Sequence, residues 1–163
     1  MIKISSTIIR AHSSLLLKNL YLDIDGVILT RQGKPALHAE EFIEFITTQF
    51  QVFWLTTHCK GNPKTAVEYL TKHFGSQTLE HLSKIQPTVW ETLKTEAIDF
   101  QSDFFWLEDQ PFASEIKVLE LHSAISNLII VDLQRINELQ HLKFILKDGK
   151  NIYSLQSLSL IHI

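Results

Sequence analysis

Two carboxylates stand two residues apart at the end of an apolar run, in the segment "YLDIDGVILT". A carboxylate buried inside a sheet is costly unless it is paired, so we expect Asp23 and Asp25 at the tip of a strand. Gly26 follows at once and lets the chain turn sharply there. Carboxylates placed in this way can bind a divalent cation, transfer protons or act as nucleophiles.

Other polar groups follow or precede apolar runs of the same kind. Thr56 and Thr57 close "QVFWLTT", Glu108 and Asp109 close "DFFWLED", and Lys94 lies in "WETLKTEAID" ahead of the latter run. Carboxylates that converge repel each other unless a cation joins them, and oxygen ligands suit Mg²⁺. A hydroxyl and an ammonium would hold the oxygens of a phosphoryl group. This inventory is typical of a phosphoryl-transfer site.

Short apolar runs alternate with helical patterns along the chain, which predicts a doubly wound α/β domain with a parallel sheet. The predicted strands lie in 20–25, 51–57, 103–109 and 127–133, with a weaker signal at 79–86. The predicted helices cover 38–49, 63–74, 87–98, 112–124 and 134–147. In such folds ligands bind at the carboxyl ends of the strands, so the polar residues named above should meet at one edge of the sheet.

Four motifs in this order resemble those of the haloacid dehalogenase (HAD) superfamily. "YLDIDGVIL" is similar to its hhhDxDGhhh motif, "FWLTTH" to its strand ending in Thr or Ser, Lys94 to its helical lysine, and "FFWLEDQP" to its acidic pair. The match extends over roughly 19–147. The resemblance implies a three-layer Rossmannoid core over 19–150, with strand order 3-2-1-4-5. The segments between the motifs are too short for a cap domain, which indicates the capless type.

The resemblance also implies roles. Asp23 would be the nucleophile and a metal ligand, and Asp25 the general acid/base, with its backbone carbonyl on Mg²⁺. Lys94 would stabilise the phosphoryl charge, a role for which Lys84 is the alternative. The metal shell would include Asp109. Thr56 would be a catalytic residue that hydrogen-bonds the phosphoryl group, in preference to Thr57. Glu108 would be a metal ligand or a water-mediated helper. The predicted substrate-binding residues are Thr56, Thr57, Gly26 and His58.

An acid at position 25 is typical of the phosphatases of the superfamily, so the expected activity is Mg²⁺-dependent hydrolysis of a phosphate monoester through an aspartyl phosphate. A catalytically weak binding or regulatory module and a phosphotransferase are the alternatives. The receiver domains of response regulators also combine Asp, Thr and Lys, but their acidic pair comes first in the chain. A capless site is open, so the substrate could be a small molecule or the phosphorylated end of a macromolecule, and a second subunit or partner could cover it.

Composition narrows the classes of partner. The 163-residue chain has a formal net charge of −3, which indicates neither nucleic acid nor a membrane as partner. Its single cysteine, Cys59, fits a reducing compartment, so we expect a cytoplasmic protein. Residues 1–18 are expected to form a leader or an extra strand, with a transit peptide as the alternative, and 151–163 form a tail whose structure the sequence does not predict.

Overall fold

The computed structural model describes residues 17–148 of the chain. Strands and helices alternate along this stretch, in the order β1 (Asn19–Leu22), α1 (Ala39–Gln49), β2 (Gln51–Trp54), α2 (Pro63–Leu70), α3 (Ser76–Leu82), β3 (Phe104–Glu108), α4 (Ala113–Leu121), β4 (Leu128–Ile130) and α5 (Glu138–Asp148). Two short 3₁₀ helices, Lys94–Ala97 and Ile125–Asn127, precede β3 and β4. Residues 1–16 of the leader predicted over 1–18 fall outside the described residues, and so does the tail at 151–163.

The strands form one parallel sheet in the order β2-β1-β3-β4. Leu22, the last residue of β1, pairs with Trp54 of β2 and Leu107 of β3. The carboxyl ends of these three neighbouring strands are therefore level. The α/β class and the parallel sheet are thus confirmed.

The weakly predicted strand at 79–86 is absent from the described residues. Its first half belongs to helix α3, and its last residue, Gln86, makes a single parallel bridge to Phe53 at the outer edge of β2. The described sheet consequently has four strands, and a fifth strand beyond β2 is reduced to that one bridge.

Both faces of the sheet are buried, as the nearly continuous apolar runs predict. Alternate residues such as Leu20 and Leu22 belong to one buried cluster together with α1, α2, α3 and α5. Tyr21 and Trp106 belong to a second cluster, on the other face, to which α4 contributes Leu119. The sheet therefore lies between two layers, each of which contains helices.

The helix predicted over 87–98 does not form, apart from the 3₁₀ turn Lys94–Ala97. The carboxylate of Glu96 accepts hydrogen bonds from the backbone N–H groups of 91–93, at 2.9 to 3.1 Å. Those donors are held in an irregular loop by a side chain rather than by the preceding turn of a helix. A local side-chain interaction thus overrides the apolar spacing that predicted a helix.

The helices are short. Within 17–148 no helix is both long and apolar enough to cross a membrane. The longest, α1 and α5, have 11 residues each and so span about 16 Å, roughly half of the hydrocarbon thickness of a bilayer.

Candidate active site

Asp23 follows β1 directly, where the strand ladder ends. Its backbone N–H still donates to the carbonyl of Leu107 in β3, at 3.3 Å, and its Oδ1 accepts from the N–H of Ile24, at 2.8 Å. The side chain is only 10% exposed. The first predicted acid is therefore a buried carboxylate in a defined orientation at the carboxyl edge of the sheet.

Lys94 reaches this carboxylate from the loop that precedes β3. Its Nζ lies 2.9 Å from Oδ2 of Asp23 and 2.6 Å from Oε2 of Glu108. Burial alone would lower the pKa of Lys94, but the charges of Asp23 and Glu108 together raise it above its usual value. The ammonium therefore stays charged at neutral pH. The alternative, Lys84, is exposed and lies in a groove at the opposite end of β2, beside Gln51.

Glu115 fixes the backbone at Lys94. This buried residue of α4 accepts hydrogen bonds from the N–H of Lys94, at 3.0 Å, and from the N–H of Phe112, at 2.9 Å. The second bond satisfies a free donor at the start of α4, as a glutamate at the third helical position commonly does. The same side chain thus caps a helix and anchors the loop that carries the lysine.

Asp23, Glu108 and Asp109 form an acidic cluster. Each offers one carboxylate oxygen, and these oxygens lie within 4.8 Å of one another. Burial first, and then repulsion from Asp23, raises the pKa of Glu108 to about 9, although Lys94 acts in the opposite direction. Burial thus disfavours the charged form of Glu108, and a divalent cation bound at the cluster would offset this effect. Three carboxylate oxygens form a donor set that fits a hard divalent cation.

Asp109 is bracketed by Gly26 and Arg31. Gly26 has φ +79°, and a Cβ at this position would overlap the carboxylate of Asp109. Arg31 donates from Nη2 to Asp109 Oδ2, at 3.0 Å, and to Gln110 Oε1, at 3.2 Å. Gly26, which we predicted to bind substrate, leaves room for the side chain of Asp109, a predicted metal ligand. Arg31, which we did not predict, contacts the same carboxylate.

Asp25 points into a second group of side chains. Its Oδ2 lies 2.7 Å from Nε2 of His58, and its Oδ1 accepts from the hydroxyl of Tyr69, at 3.3 Å. The rings of His58 and Tyr69 stack with centroids 3.9 Å apart. The side chain of Asp25 remains 49% exposed. His58 thus holds Asp25, the residue to which the HAD resemblance assigns proton transfer.

The two threonines differ in burial. Thr56 is 1% exposed, and its hydroxyl oxygen accepts from the N–H of His58, at 3.3 Å. Thr57 is exposed. Thr56 is therefore buried and contacts His58, whereas Thr57 is exposed to solvent.

Sequence reasoning missed three residues that contact the predicted ones: Arg31, Tyr69 and Glu115. Only Glu115 had a local signal, since a glutamate three residues after the start of a helix predicts a cap. The contacts of Arg31 with Asp109 and of Tyr69 with Asp25 join residues 78 and 44 positions apart. Such pairs depend on the folded arrangement of loops.

Comparison with known proteins assigns the chain to no family. No family model matches the sequence, and no curated protein matches it. The HAD-like interpretation stays a prediction that depends on the four motifs and on the geometry of their residues.

Proposed function

We propose that the chain is a capless, HAD-like hydrolase of phosphate monoesters that depends on Mg²⁺ and uses Asp23 as its nucleophile. One observation carries this proposal. The Asp23 carboxylate lies in contact with the Lys94 ammonium and within 4.8 Å of the oxygens that Glu108 and Asp109 offer. A nucleophile, a fixed positive charge and a hard-cation donor set are the parts that phosphoryl transfer requires.

In the first step, a carboxylate oxygen of Asp23 forms a bond to phosphorus and the bond from phosphorus to the leaving oxygen breaks. Asp25, in its acid form, gives its proton to that leaving oxygen. Lys94 counters the negative charge that accumulates around the transferred group. The half-exposed side chain of Asp25 is consistent with a group that must reach the leaving oxygen.

In the second step, water attacks phosphorus and the bond to Asp23 breaks, which releases inorganic phosphate and restores the nucleophile. Asp25, now a carboxylate, takes the proton of the attacking water. His58 and Tyr69 contact the two oxygens of Asp25 and so restrict its orientation. Burial and the charge of Asp25 raise the pKa of Tyr69, so its phenol remains a donor to that carboxylate.

The metal ion would be held by Asp23, Asp109, the backbone carbonyl of Asp25 and Glu108, directly or through water. When bound, it would supply positive charge that lowers the repulsion between the phosphate and the nucleophile. The donor set and the raised pKa of Glu108 support this assignment.

We further propose that the site accepts a phosphorylated small molecule or the end of a macromolecule, because no cap domain interrupts the described core. A second subunit or a partner could close the site. A cytoplasmic location agrees with Cys59, which is a free, buried thiol.

The test is release of inorganic phosphate from phenyl phosphate, with Mg²⁺ and with a chelator. The matched variants are Asp23→Asn and Asp103→Asn, the latter at an exposed carboxylate at the opposite end of β3. We expect turnover that requires Mg²⁺, is lost in Asp23→Asn and is unchanged in Asp103→Asn. Turnover that persists in Asp23→Asn would overturn the assignment of the nucleophile. Mg²⁺ binding without turnover would favour a binding or regulatory module, and transfer of phosphate to an alcohol rather than to water would favour a phosphotransferase.

A further inference from the structure

A cleft of about 480 Å³ opens beside the acidic cluster, within the size range of about 300–1,000 Å³ that is typical of small-molecule sites. Gly26 and Asp109 line it on the side of the cluster, and Arg31 lines it from the hairpin that follows the first motif. Asp132 and Arg135 line it from the loop after β4. A group attached to a phosphate at Asp23 could extend over Gly26 into this cleft.

Arg31 sits on a short, exposed hairpin. The N–H of Thr30 donates to the carbonyl of Lys34, at 2.7 Å, and Leu29 pairs with Pro35. The side chain of Arg31 is 65% exposed, whereas that of Asp109 is 16% exposed. Water screens an ion pair that has one well-exposed partner, so the pair contributes little to stability. The guanidinium can therefore leave Asp109 at a small cost.

Arg31 contacts the Asp109 carboxylate, which is also a candidate ligand of a divalent cation. The guanidinium donates to Asp109 Oδ2 from both Nε, at 3.3 Å, and Nη2, at 3.0 Å. When Asp109 ligates a cation, its negative charge is shared with that cation and the attraction to Arg31 falls. Arg31 then faces the cleft without its carboxylate partner.

The other charges of the cleft are matched within the protein. Arg135 lies 3.7 Å from Asp132 and 3.5 Å from the buried Glu138. Asp132 is accordingly paired with Arg135, and Asp109 would be a ligand of the cation. Arg31 is therefore the group whose positive charge becomes uncompensated when the site is loaded. A guanidinium in this state binds carboxylates and phosphates, which match its fork of donors.

We propose that the cleft binds the leaving group of the substrate, and that Arg31 selects phosphate monoesters that carry a second anionic group. Arg31 has two successive partners: Asp109 in the metal-free protein and the second anion of the substrate in the loaded protein. This inference depends on the proposed function, because it takes the phosphoryl group to lie at Asp23. It names the substrate class that the preceding proposal leaves open.

Two non-hydrolysable probes test the selection by binding alone: phenylphosphonate and 4-phosphonobenzoate, which differ by one carboxylate. Their dissociation constants are measured by calorimetry with Mg²⁺ present, for the unsubstituted protein and for Arg31→Gln, Arg31→Lys and Lys34→Gln. Lys34 is an exposed lysine of the same hairpin, so Lys34→Gln removes an equal charge without touching Asp109.

We expect the unsubstituted protein to bind 4-phosphonobenzoate about tenfold more tightly or better, the scale of one charge-assisted hydrogen bond. The preference should vanish in Arg31→Gln, return in part in Arg31→Lys and persist in Lys34→Gln. Equal binding of the two probes, or a preference that survives in Arg31→Gln, would overturn the proposal. Neither result depends on turnover, so a protein that hydrolyses phenyl phosphate but fails to discriminate refutes only this inference.

The competition between Arg31 and Mg²⁺ for Asp109 is tested separately, by measuring the Mg²⁺ dissociation constant. Removing Arg31 removes the competing cation, so the Mg²⁺ dissociation constant should fall a few-fold in Arg31→Gln and stay unchanged in Lys34→Gln. An unchanged or raised constant in Arg31→Gln would refute the exchange of partners.

Discussion

The ammonium of Lys94 lies 2.9 Å from Oδ2 of Asp23, although the two residues are 71 positions apart in the chain. The contact brings the loop before β3 to the end of β1, and the same ammonium reaches Glu108 at the end of β3, at 2.6 Å. One lysine therefore joins the carboxyl ends of two neighbouring strands. The proposed chemistry depends on this contact.

Replacing Lys94 tests the electrostatic role of this contact. In Lys94→Gln the developing phosphoryl charge loses its fixed cation, and we expect kcat for phenyl phosphate to fall about 10²–10³-fold, the usual cost of removing one such donor. Lys84→Gln is the matched control, because Lys84 is exposed and lies beside the opposite end of β2. Equal losses in both variants, measured on folded protein, would contradict the assignment.

Gly26→Ala and Gly33→Ala separate backbone strain from the close approach to Asp109. Both glycines have positive φ, +79° and +75°, but only at Gly26 would a Cβ meet another group, the Asp109 carboxylate. Each variant should lose about 1–2 kcal/mol of stability from the left-handed backbone. We expect Gly26→Ala alone to weaken Mg²⁺ binding, since it displaces a ligand. Similar Mg²⁺ titrations for the two variants would refute this role of Gly26.

Glu115→Gln tests the anchor beneath Lys94. The glutamate accepts from the N–H groups of Lys94 and Phe112 with different oxygens. Glutamine keeps only one accepting oxygen, so one of these two donors loses its partner. We expect the free energy of unfolding in urea to fall by about 1–3 kcal/mol, the cost of an unsatisfied buried group, with a parallel fall in kcat. Glu120→Gln, at an exposed position of the same helix, should change neither quantity. A stable Glu115→Gln protein with full activity would contradict the anchor.

Glu138 makes stability depend on pH. Burial is the largest cause that raises its pKa in the folded protein above the usual 4.5, with hydrogen bonding from Asp132 and the charge of Arg135 acting against it. The neutral acid is therefore favoured more in the folded state than in the unfolded state. Its contribution to stability is fully present below the unfolded pKa of about 4.5 and is lost as the pH rises through the folded pKa. The stability of Glu138→Gln relative to the unsubstituted protein should thus increase from pH 4.5 upward in urea titrations. A difference that stays constant with pH would disprove this.

The strand ends were predictable because a buried parallel strand is a short apolar run that stops at a polar residue. This pattern correctly located β1, β2 and β3 and so indicated that Asp23, Thr56 and Glu108 follow or end neighbouring strands. The pattern failed at 87–98, where the carboxylate of Glu96 takes the backbone donors that a helix would have used.

The residues that contact the predicted site residues were harder to predict from the sequence. Arg31 and Tyr69 are a hairpin arginine and a helix tyrosine with no distinguishing local pattern. Their contacts with Asp109 and Asp25 depend on how the hairpin and α2 sit over the sheet edge. Periodicity reports which face of an element is buried, and it carries no information on which side chains from distant loops meet.

The most direct test of the account is to trap the phosphorylated nucleophile. The protein is mixed rapidly with phenyl phosphate and Mg²⁺, quenched in acid, reduced with borohydride and digested, and the peptide containing position 23 is examined by mass spectrometry. An acyl phosphate is reduced to an alcohol, so we expect a mass loss of about 14 Da at Asp23, the exchange of one carboxyl oxygen for two hydrogens, only when substrate and Mg²⁺ are both present. Turnover with an unmodified Asp23, or with the modification on another carboxylate, would contradict the central claim.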